Sequence, residues 1–231
     1  MTDMLAPYNL ANDNIILLLL ILDLVGISYV LLMNGANIFE RTKCIFYYES
    51  KSTPYNDRTH ITTICNLLMD FQIVFFATIV ITAILDERCF ELTQENSMRV
   101  ISTVAALLTG FFIIKRELHD LINRVLFSKS ISEEWDDFYF FTIKLLGFTL
   151  LPAVIVVLFI PQIPLKYVEF YSILILLGYL YTIISGLNKI IFAKNRIYLD
   201  LFLYLCALEF LPIAMVWKTM LQLEEYLTIK I

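Results

Sequence analysis

Three carboxyls and one amine fall where hydrocarbon would surround them. Asp23, Asp70, Lys144 and Glu209 lie in four separate apolar runs of this 231-residue chain. At 1.5 Å per residue the three acids sit roughly 12–18 Å from a membrane face, close to the midplane. Lys144 is shallower, about 9 Å from the nearer face. A charge at such depth costs about 2.5–3.5 kcal/mol on insertion scales, and an intramembrane ionisable group is a functional candidate by default. One amine pairs with at most one of three acids, so the quartet is a candidate polar or ion pathway. The chemistry it would support is proton- or cation-coupled transport. The competing reading is packing and assembly. Glu209 illustrates both: in "YLCALEFLP" it stands three residues before Pro212. Protonated, it can donate to the carbonyl one turn back, while Pro212 leaves the Leu208 carbonyl without its usual donor. Glu209 is then a hydrogen-bonded wedge at a proline kink; Pro152 marks a second kink.

Other chemistries lack residues. There is no HExxH, GxSxG, GxxxxGK[ST] or GxGxxG pattern, so metalloprotease, serine hydrolase, P-loop and dinucleotide chemistries are unsupported. Cys44, Cys65, Cys89 and Cys206 are widely spaced and form no CxxC pair, which indicates neither a disulfide framework nor a zinc site. His119, beside Asp120 and close to Glu117, looks like a fragment of a site, but on a surface helix it reads as part of the polar face; His60 has nothing obvious beside it. No enzyme activity, metal or cofactor is expected. A net charge of −5 gives no footprint for nucleic acid.

The elements that must position these residues are apolar and long. The sequence is 59% hydrophobic and 17% charged, with a mean hydropathy of +0.76, outside the norm for soluble domains. Six runs qualify as spans: Ile15–Met33, Ile61–Leu85, Val100–Ile114, Phe138–Ile160, Tyr167–Leu187 and Ile197–Trp217. None alternates like a barrel strand, so the expected fold is an all-α polytopic transmembrane bundle forming a single domain. The segment before the first run has no Lys or Arg, which argues against a cleavable signal. The third run is the weakest, since 15 residues reach only about 22 Å. Alternating loops carry eleven Lys and Arg on one side and five on the other. The positive-inside rule then places both termini outside the cytoplasm.

Between the spans, "NIFERTKCIFYYE" reads as a segment along the headgroup layer, and "PQIPLK" as a tight external turn. Leu118, Leu121, Ile122, Val125 and Leu126 recur at i, i+3, i+4, i+7 and i+8, one apolar helical face among basic residues. The spacing fits a cytoplasmic amphipathic surface helix; it equally fits an extension of span three packed on its neighbours. "SISEEW" restarts a helix, with Ser130 or Ser132 as its cap. Trp135 and Tyr139 at one interface and Tyr167 and Trp217 at the other fit an aromatic belt. Gly178, Thr182 and Gly186 form a small-residue stripe suited to close helix packing. Asp86, Glu87, Glu91 and Glu95 make an acidic external loop that reads as solvated. The halves Met1–Ile114 and Lys115–Ile231 show no convincing internal repeat.

The ending "NRIYLDLFLYLCALEFLP", the "NIFE" after span one and the "LLGFTLLPAVIVVL" of span four resemble a family of small bacterial membrane proteins grouped as a domain of unknown function. The resemblance implies a multi-pass protein of a Gram-negative inner membrane, with no activity attached. The expectation is a non-enzymatic accessory or assembly subunit of a cell-envelope complex, touching the bilayer and a membrane-protein partner. The alternative is the transporter built on Asp23, Asp70, Lys144 and Glu209.

Overall fold

Backbone groups in hydrocarbon must be satisfied within their own segment, and this chain meets that demand with helices. The structure, a computed structural model, describes residues 13–46, 60–88, 94–126, 129–160, 162–189 and 218. Five helices follow in order: α1 Asn14–Phe46, α2 His60–Arg88, α3 Gln94–Leu126, α4 Lys129–Phe159 and α5 Leu165–Leu187. Among the described residues there is no strand. Each of the five is long and apolar enough to cross a membrane, so the all-α, polytopic expectation holds. The sixth run, with Asp200, Glu209, Pro212 and Trp217, lies outside the described residues.

Several elements differ from expectation. The third span is not short: α3 runs 33 residues without interruption. Its last three turns are the segment read as a surface helix, which is instead an extension of the span packed on its neighbours. The helix also continues past Met33 to Phe46, so "NIFERTKCIF" extends α1 rather than turning onto the headgroup layer. Asp13 starts α1 by accepting the N–H of Ile15 at 2.9 Å, as a side-chain N-cap does.

The second helix is the hub. It touches each of the other four, most extensively α4, while α5 and α3 also pack on α4. Leu20 and Ile27 of α1, Phe76 and Val80 of α2, and Leu150 and Val154 of α4 share the main core. Since lipid is as apolar as leucine, close van der Waals fit rather than water exclusion holds such helices together. Two glycines of α4 and α5 provide it. A Cβ at Gly147 would stand 3.4 Å from Ile73 Cβ and 3.5 Å from its backbone. One at Gly186 would overlap the Phe138 ring.

The small-residue stripe therefore divides. Gly186 is buried against α4, whereas Gly178 has nothing within 4 Å of an added Cβ. Thr182 turns its hydroxyl to the Gly178 carbonyl at 2.5 Å. Pro152 lies inside α4, which continues through it to Phe159. The proline supplies no donor to the Phe148 carbonyl; one residue on, the Thr149 carbonyl accepts the Tyr171 hydroxyl of α5 at 2.9 Å.

Candidate functional site

Helix register brings a set of polar groups, some buried and some exposed, toward one end of the bundle. α3 and α4 run antiparallel, with His119 stacked on Tyr139 at 3.9 Å between ring centroids. α5 returns antiparallel to α4, Gly186 against Phe138. α2 runs parallel to α4, Ile73 against Gly147. Asn66 and Asp70 of α2, Lys115, Arg116 and His119 of α3, Asp136, Tyr139 and Lys144 of α4, and Tyr179 of α5 thereby form one transverse polar layer. It lies toward the end of the bundle that carries the basic loops.

One half of the layer centres on α2. Lys144 Nζ donates to Asn66 Oδ1 at 2.9 Å. If Ile73 and Gly147 are level, Lys144 starts about 6 Å deeper than the residue facing Asn66. Its side chain therefore reaches back toward the polar end, as membrane lysines do. Asp70 is half-buried and within electrostatic reach of Lys144 and Arg116. The Arg116 guanidinium also lies 5.3 Å from the Phe140 ring centroid.

The other half centres on α3. Lys115, His119 and Asn123 are all buried, one turn apart on a single face. Lys115 Nζ donates to the Tyr179 hydroxyl at 3.2 Å and lies 5.7 Å from the Tyr139 centroid. Asn123 Nδ2 lies 3.2 Å from His119 Nδ1 and donates to Asp136 Oδ1. His119 Nδ1 itself stands 3.3 Å from that same oxygen. Ser132 donates to the second oxygen of Asp136 at 3.5 Å. Trp135 and Tyr139 close the cluster and are fully buried. They pack inside the bundle rather than in an interfacial belt; Tyr167, by contrast, faces outward.

Asp23 lies elsewhere. It is buried on α1, and its Oδ2 has no hydrogen-bond partner within the protein. α1 and α2 are antiparallel: Gly26 meets Leu68, and Val30 shares a cluster with Cys65 and Met69. The same register sets Asp23 opposite Gln72, a buried residue whose two amide atoms also lack partners. Of the four residues singled out as an ion pathway, Asp70 and Lys144 come together, Asp23 lies at the α1–α2 contact opposite Gln72, and Glu209 is outside the described residues.

The sequence reading undervalued His119 and did not identify Lys115, Asn123, Asp136 or Tyr179 as site residues. The available signal was the i, i+4, i+8 spacing of Lys115, His119 and Asn123. In a lipid-embedded helix such a polar stripe turns inward and its apolar stripe outward; Leu121 is 61% and Val125 76% exposed.

Five apolar helices joined around an internal polar layer define a multi-pass helical membrane protein. Residues 14–220 match the family described as Domain of unknown function (DUF4271), and the chain belongs to it. No curated protein and no solved structure matches the chain.

Proposed function

We propose that this protein is a non-enzymatic accessory or assembly subunit of a larger complex in a bacterial cell envelope, seated in the inner membrane. The observation that supports this reading is how three charges inside the bundle, Lys144, Lys115 and Asp136, are engaged. Lys144 is held by Asn66, Lys115 by Tyr179, and Asp136 by Asn123 and Ser132. Each is engaged by its own partner within the chain, instead of several converging on one opening. Such groups pin helices in register, and the outward faces are left apolar for lipid or another membrane protein. Native mass spectrometry of the tagged protein, extracted from its own membranes in mild detergent, tests the reading. A stoichiometric partner chain is expected; a bare monomer or homo-oligomer rejects it.

One observation favours a proton- or cation-coupled transporter: Asp23 and Gln72, level with one another and buried, both have polar atoms without partners. Proteoliposomes with a trapped pH dye discriminate. Transport predicts a flux that Asp23→Asn or Glu209→Gln abolishes; the assembly reading predicts no flux from the wild-type protein.

A further inference from the structure

The α3–α4 hairpin gathers an imidazole, two carboxylates and a carboxamide near its turn. The geometry points to a binding site for a first-row divalent transition cation there, held by His119, Asp120 and Asp136 with Asn123 as a fourth donor. It exchanges the hydrogen bond from Asn123 to Asp136 for shared coordination of an ion, leaves the other pairs cited for the assembly reading untouched, and reverses the expectation of no metal drawn from the sequence.

The spacing is that of a coordination sphere. Ligand atoms of His119, Asp120 and Asp136 all lie within 4.8 Å of one another. His119 Nδ1 and Asp136 Oδ1 are 3.3 Å apart. Two ligands at about 2.1 Å from a tetrahedral ion are themselves about 3.4 Å apart. Asn123 Nδ2 lies 3.2 Å from His119 Nδ1 and donates to Asp136 Oδ1, so its carboxamide adjoins both atoms. The side chain of Asn123 is fully buried, and its Oδ1 has no donor. Turning the carboxamide end for end exchanges two atoms of nearly identical shape. Oδ1 then points at His119 and Asp136, where an ion would meet it.

The surroundings suit such an ion. Tyr139, stacked on His119, fixes the imidazole plane, and Ser132 holds the far oxygen of Asp136, as outer-shell groups do around metals. Asp120 and Asp136 are 39% and 31% exposed against 0% for His119, so an ion enters from the carboxylate side. Two charges oppose it. Lys115 is one turn away, but its amine is directed to Tyr179. Arg124 approaches Asp120 at 4.0 Å, an exposed pair of little worth that an ion displaces. Imidazole with carboxylates selects Zn²⁺, Mn²⁺ or Fe²⁺ over the all-oxygen sites of Ca²⁺ and Mg²⁺.

The test uses the full chain in detergent, treated with chelator and titrated with Co²⁺ as a spectroscopic probe. Zn²⁺ retained after desalting is measured by elemental analysis. One equivalent of Zn²⁺ per chain and a visible Co²⁺ absorption band are expected. Asp136→Asn, which keeps the shape and can still accept the Asn123 amide in the ion-free chain, should weaken Co²⁺ binding at least tenfold; His119→Gln should abolish the band. Should His119→Gln fail to fold, Asp136→Asn decides alone, its folding verified by gel filtration and thermal unfolding. A wild-type chain that retains less than a tenth of an equivalent, or a folded Asp136→Asn chain that binds like wild type, overturns the site.

Discussion

At the scale of single residues, Lys144 and Asp70 behave as one unit. Lys144 donates to Asn66 and lies within electrostatic reach of Asp70, so each substitution alone leaves the other charge less well compensated inside the bundle. Interhelical hydrogen bonds in membranes average only about 0.6 kcal/mol, yet a stranded charge in a low dielectric costs more. Lys144→Met and Asp70→Asn should each lower stability, while the double variant should lose less than their sum. The expected coupling is on the order of 0.5–3 kcal/mol, read from unfolding of all four chains in the same detergent. Strict additivity would mean that the two side chains act separately. These two residues were legible in the sequence because any charge within an apolar run is conspicuous. Lys115 and Tyr179 were not. A lysine at the end of an apolar run looks like an ordinary interfacial anchor, and a tyrosine in a span looks apolar until a cation is placed beside its hydroxyl.

At the scale of elements, the glycine stripe of α5 separates what spacing can tell from what it cannot. Gly178 and Gly186 belong to one i, i+4, i+8 stripe but stand about 80° apart on a helical wheel, and of the two only Gly186 packs against α4. A methyl there would overlap the Phe138 ring, itself stacked on Trp135 with centroids 5.5 Å apart, so the ring has little room to yield. Gly186→Ala should destabilise the bundle by about 1–3 kcal/mol, the usual range for overpacking. Gly178→Ala should be neutral or slightly stabilising, since alanine is the better helix former. Equal effects in thermal unfolding would reject this division of the stripe. The lengths of α1 and α3 were hidden for a related reason. Hydropathy marks where a helix is in hydrocarbon, not where it ends. Polar turns such as "NIFERTKCIF" and "KRELHDLINRVL" continue a helix whenever its backbone bonds continue and nothing breaks them.

At the scale of the molecule, the arrangement has a direction. The polar layer lies toward the ends of the helices joined by the basic loops, and Lys144 bends its side chain that way. Eleven Lys and Arg flank that side against five on the other, a bias that the positive-inside rule assigns to the cytoplasm. Lys129, exposed at the start of α4, and Gln162, exposed between α4 and α5, lie at opposite ends of one helix and report the two sides directly. In a background where Cys44, Cys65, Cys89 and Cys206 are replaced, Gln162→Cys should react with a membrane-impermeant maleimide in intact spheroplasts. Lys129→Cys should react only after permeabilisation. The reverse pattern would invert the bundle and turn the His119–Asp136 cluster away from the cytoplasm. The expected pattern places that cluster at the cytoplasmic mouth of the α3–α4 hairpin. Asp120 and Asp136 would then draw any ion from the cytoplasmic pool, and the layer behind them would close the bundle to the far side.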